Sequence, residues 1–120
     1  MANYAKNVLS GSVDGAGILV AATASAGTLI HTGPTLTTSF DEIWLYAVNT
    51  SASNVKLTIQ WGTTTSPNGD IELTVLPEAG LVTVVPGLVL KGNATPLVVR
   101  AFAATANVIV IHGFENAITA

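Results

Sequence analysis

The side chains best suited to acid–base or metal chemistry are two histidines, His31 and His112, and seven Asp and Glu residues. A Ser-His-acid hydrolase needs a base oriented by an acid and a nucleophile on an exposed elbow. No Gly-x-Ser-x-Gly surrounds any serine. His112 lies in an apolar run and reads as a satisfied core or interface histidine. His31 stands beside Thr32-Gly33-Pro34 and reads as a polar residue at a strand end. Asp41 and Glu42 are adjacent, so a strand would send them to opposite faces. Asp70 and Glu72 are two apart and share a face, as a solvated strand edge does. No spacing marks a metal site or a facing pair of glycosidase carboxylates. The absence of cysteine excludes disulfides, thiolate metal sites and cysteine nucleophiles. We therefore expect no enzyme, no catalytic residue, no metal and no cofactor.

Ligand recognition leaves more room. No phosphate-binding loop or dinucleotide fingerprint follows any predicted strand. The four cations, Lys6, Lys56, Lys91 and Arg100, are too scattered for a nucleic-acid-binding stripe. Trp44, Tyr46 or Trp61, with Asn68, Asp70 or Gln60, could form a sugar-binding pocket at a loop end. Against this, Trp61 alternates in phase with Val55, Leu57 and Ile59, which places it in the core.

The elements that would carry these residues are strands. Val, Ile and Thr supply 14, 8 and 16 residues of 120, and β-branched side chains suit a pleated, half-buried surface. No apolar stripe of helical period persists beyond a turn or two. Strands are expected at 18–24, 27–32, 43–49, 54–61, 70–76, 81–85, 88–91, 97–103 and 107–113, with 35–40 a further edge strand or a loop. The segment 54–61 alternates most cleanly, whereas 43–49 is apolar on both faces: Ile43, Leu45 and Ala47 on one, Trp44, Tyr46 and Val48 on the other. Gly62 to Gly69, Pro77-Glu78-Ala79-Gly80, Pro86-Gly87 and Gly92 to Thr95 carry turn chemistry. The expected fold is all-β: a single β-sandwich of jelly-roll type, with about eight to ten short antiparallel strands. Residues 1–17 form an N-terminal arm or edge strand, and residues 18–120 form the sandwich domain.

Charged residues make up 9%, against a usual share of about 25%. Net charge is −3. So few charges cannot dress a monomer's surface in the ordinary way, which implies that much of the surface meets other protein. No signal-peptide core follows Lys6, and the charge-free stretch from Gly15 to Phe40 is broken by Ser, Thr, Gly, His31 and Pro34. We expect neither a secretion signal nor a membrane span.

Three segments carry a family resemblance. Met1-Ala2-Asn3-Tyr4 leads into Leu9 to Ile18, with its Ser-Gly-Ser and Gly-Ala-Gly; the middle has Val85-Pro86-Gly87-Leu88-Val89-Leu90; the end runs from Ala106 through His112-Gly113-Phe114 to Ile118. Together these resemble small virion structural proteins of tailed bacteriophages, most of all capsid decoration (cement) proteins. The resemblance is one of style over most of the chain and rests on no diagnostic motif. It implies a protein made in the host cytoplasm and bound to the outer capsid surface, often as a homotrimer, that bridges subunits of the major capsid protein. Asn3, Tyr4, Lys6, Val8 and Leu9 are then the capsid-contact candidates. Trp44, Tyr46, Ile109, Ile111, His112 and Phe114 are the subunit-interface candidates. The rival expectation is a carbohydrate- or receptor-binding fibre-tip module that takes a host glycan. A head–tail joining or tail protein stays within the structural class.

Overall fold

A computed structural model describes residues 2–119. It contains nine strands: β1 (Asn3–Val8), β2 (Ile18–Leu19), β3 (Thr28–Thr32), β4 (Ser39–Asn49), β5 (Val55–Trp61), β6 (Asp70–Val75), β7 (Val82–Lys91), β8 (Val98–Ala103) and β9 (Ile109–Thr119). All pairings are antiparallel. One sheet runs β1-β9-β4-β7, with β2 also on β9; the other runs β3-β8-β5-β6. Sequence-adjacent strands β3 and β4, β6 and β7, and β8 and β9 thus lie in opposite sheets, which is the winding of a jelly roll. The fold class read from the sequence is the fold observed.

The core is aliphatic and comes from the inward parity of both sheets. Ile43, Leu45, Ala47, Ile109 and Ile111 face Leu57, Ile59, Val99 and Ala101 across the sandwich, all fully buried. Burial of this apolar area stabilises the fold by about 25 cal/mol per Å².

Three elements differ from expectation, each for a local reason. The segments on either side of Pro86-Gly87 are not two strands joined by a turn but one strand, β7. Its pairing with β4 shifts register between Ile43 and Trp44 and again between Leu45 and Tyr46. β7 is a sheet edge, where a proline without an N–H is tolerated at a bulge, and Gly87 takes φ of 91°. The expected strand 18–24 shrinks to Ile18–Leu19. The last strand, expected at 107–113, does not end at Gly113: β9 runs from Ile109 to Thr119 between β1 and β4. This gives residues 3–8 their partner.

Candidate functional site

The two outer faces of the sandwich differ in chemistry, and the face of the five-stranded sheet collects most of the sequence-predicted contact residues. Register places Val8, Phe114 and Trp44 in one cross-strand row, with Tyr46 opposite His112 in the next. The Phe114 and Trp44 rings stack with centroids 4.9 Å apart and planes 12° apart. Lys6 Nζ lies 5.1 Å from the Phe114 centroid, within cation–π range. On the other side of Trp44, a Cβ on Gly87 would stand 3.1 Å from the indole, so the glycine lets the ring lie down on β7. The result is a continuous strip from Lys6 through Phe114 and Trp44 to Gly87. Tyr4 is 68% exposed and Val8 50%; Trp44, Tyr46, His112 and Phe114 are half-buried.

The two candidate sets, separate in sequence, therefore share one surface: Tyr4, Lys6 and Val8 at its β1 margin, and Trp44, Tyr46, His112 and Phe114 in its centre. Three candidates require correction. Leu9, just past the end of β1, is 1% exposed and belongs to the core, as do Ile109 and Ile111, which the parity of β9 turns inward, so all three are packed inside the chain and leave no surface for a partner. Asn3 is exposed but sits out of phase with Tyr4 and Lys6, on the opposite face of β1.

Of the sugar-pocket candidates, Trp61, Gln60 and Asp70 meet at the β5–β6 hairpin, where Gln60 pairs with Asp70 and the Trp61 N–H donates to Gly69 O at 2.7 Å, whereas Trp44 and Tyr46 lie in the other sheet. Trp61 packs against the core. Gln60 is buried, accepting the Gly27 N–H at 2.8 Å and donating to Ser25 at 2.9 Å. Asp70 accepts from Ser66 at 2.7 Å. A cleft of about 390 Å³ at the sandwich end is lined by Asn49, Thr50, Ser51, Ala52, Pro77 and Glu78, without an aromatic ring.

The structure also assembles a group that sequence reasoning missed. His31, Asp41 and Glu115 are buried together, with donor atoms all within 4.8 Å of one another. Asp41 keeps the inward parity of β4, and Glu115 that of β9 between Asn7 and Ile43. His31 arrives by a bulge: pairing with β8 slips between Leu29 and His31, and both Ile30 and His31 turn inward. His31 Nε2 lies 2.7 Å from Asp41 Oδ2. The Ser10 backbone N–H donates to His31 Nδ1 at 2.9 Å. That bond fixes the tautomer: Nδ1 holds a lone pair, so Nε2 carries the proton and donates it to Asp41. Burial lowers the His31 pKa below its ordinary value, the negative charge of Glu115 opposing that effect. Glu115 Oε1 accepts from Asn7 at 2.9 Å. Its pKa is raised to about 7, first by burial and next by the adjacent Asp41 carboxyl. Asp41 is also raised, by burial.

Three such donors are a constellation a divalent cation could use. The Ser10 N–H argues against it. A metal on Nε2 of a neutral imidazole would put the proton on Nδ1, where it would face another N–H.

Compared with protein-family models, curated proteins and solved structures, the chain has no match among them.

Proposed function

We propose that this chain is a non-catalytic virion structural protein of the capsid decoration type, acting through the outer face of its five-stranded sheet. The observation that carries the reading is the aromatic strip on that face, flanked by the exposed Tyr4 and Val8, on a chain with only 9% charged residues. Contiguous apolar surface of this kind marks protein–protein contact sites, and aromatic anchors dominate their energetics. The jelly roll is a fold that capsid and lectin domains share.

In this reading the centre of the strip, around Trp44, Tyr46 and His112, packs between copies in a homotrimer. The β1 margin, with Tyr4, Lys6 and Val8, remains for the major capsid protein. Binding to several shell subunits at once turns weak contacts into strong attachment. A protein that binds only the assembled shell stabilises it by mass action.

The test is co-sedimentation with assembled heads of the cognate phage. Val8→Glu places a charge at the exposed margin without touching the core. It is expected to abolish co-sedimentation while the variant stays folded and oligomeric. Saturating binding by Val8→Glu, or no binding by the wild-type protein, would overturn the reading. A point variant is required because deleting the N-terminal segment would also remove the buried Leu9 and the Ser10 contacts with β3.

A further inference from the structure

We infer that Asp41 and Glu115 hold one proton between them, beside a neutral His31, and that this shared proton seats the chain where it leaves β1 and passes along β3. The inference does not depend on the virion reading.

The geometry leaves the proton one place. Glu115 Oε1 is occupied by the Asn7 amide. Oε2 is buried and has no hydrogen-bond partner, while the neighbouring Asp41 carboxylate already accepts from His31. Two ionised carboxylates so placed would repel at low dielectric, whereas an O–H on Glu115 Oε2 directed at Asp41 satisfies both. Moving that proton to His31 would require it on Nδ1, which the Ser10 N–H occupies.

The segment held by this cluster is specific. Asn7 bonds Glu115, Ser10 N–H bonds His31, the Thr32 N–H donates to Ser10 Oγ at 2.7 Å, and the Gly11 N–H donates to Ile30 O at 2.9 Å. Residues 7–11 thus clip the edge of one sheet to the bulge of the other. Among the described residues no further charge faces the pair: β1 offers the uncharged Asn7 and β7 offers Leu90, opposite Asp41. Lys6, Glu42 and Lys91 have the opposite strand parity, on the outer face.

Linkage gives the two partners opposite signs. The Glu115 contribution to stability is fully present below its unfolded value of 4.5 and is lost as pH rises through about 7. The His31 contribution is present above 6.5 and is lost as pH falls towards its depressed folded value. Just below 6.5 the two slopes oppose each other in the wild-type protein.

The test measures thermal midpoints of the full chain from about pH 4.5 to about pH 8.5. Glu115→Gln replaces the shared proton by a fixed amide N–H. His31→Gln keeps a donor for Asp41 and an acceptor for Ser10. Wild type is expected to change less just below pH 6.5 than Glu115→Gln does. Glu115→Gln should lose stability as pH falls below 6.5, and His31→Gln as pH rises towards 7. Each shift should be roughly 5 °C or more. Parallel profiles in all three proteins would overturn the inference. If His31→Gln does not fold, the tautomer of wild-type His31 decides. Long-range proton–nitrogen NMR should show Nε2 protonated and Nδ1 bare at about pH 6; an imidazolium there would overturn it. So would a midpoint raised by zinc or calcium alone and unmoved by them in Glu115→Gln, which would put a cation where the proton is placed.

Discussion

The outer face of the five-stranded sheet and that of the four-stranded sheet are built from strands of the same jelly roll, yet they solve opposite problems. On the four-stranded sheet the chain covers itself. Thr58 and Gln60 point outward by parity but are buried, because the segment ending in Gly27 lies over them. Gln60 binds its N–H, and Arg100 donates to its carbonyl at 3.1 Å. The remainder of that face carries the exposed Lys56–Glu72 ion pair. On the five-stranded sheet the chain around Gly15 and Gly17 packs against Val8, Val110 and His112, while Trp44 and Phe114 stack in the centre of the face with Lys6, Glu42 and Asn116 around them. A polar face closed by its own chain has its partners already. The partly open aromatic strip is the surface that the proposed function assigns to a partner.

The comparison can be broken from either side. The largest effect is expected from charge on the open face. The double variant Tyr4→Asp, Val8→Glu should weaken binding to assembled heads by about a hundredfold or more, about 2.8 kcal/mol. Thr74→Glu, on the outward parity of β6, should leave binding unchanged in the same titration. Next comes the closed face. Gln60→Leu leaves the Gly27 N–H without an acceptor and should cost about 1–3 kcal/mol in urea denaturation, with no effect on binding per folded molecule. Within the open strip, a double-mutant cycle on Trp44 and Phe114 should return a coupling of about 0.5–1.5 kcal/mol beyond area burial. A cycle value near zero would mean that the stacked rings act independently. The smallest effect belongs to Lys6→Gln, where loss of the exposed cation–π contact should cost about 0.5–1 kcal/mol.

These two faces were unequally legible in the sequence. The alternation of Val55, Leu57, Ile59 and Trp61 located β5 to within a residue, and the doubly apolar run from Ile43 to Val48 marked β4 as a central strand. What periodicity could not supply was pairing. Without β1 as a partner, the last strand reads as ending at Gly113, and the strip that joins Lys6 to Trp44 across β9 is invisible. The same gap hid the buried cluster. With β4 taken to begin at Ile43, the inward phase of Ser39 and Asp41 was lost. Extending that phase backwards from Ile43 and Leu45 was the available signal for Asp41. His31 offered none, because a bulge, not alternation, turns it inward. Pro86-Gly87 misled for a related reason: turn chemistry and edge-strand bulge chemistry use the same residues.

The central claim is that the open aromatic face is an interface. Its most direct test is the absolute mass of the purified chain by light scattering across a dilution series, for wild type and for Tyr46→Glu. The account predicts a wild-type mass near three times 12.2 kDa and a single-chain mass for the folded variant. A wild-type protein that remains a single chain at every concentration, or a Tyr46→Glu protein that keeps the wild-type mass, would contradict it.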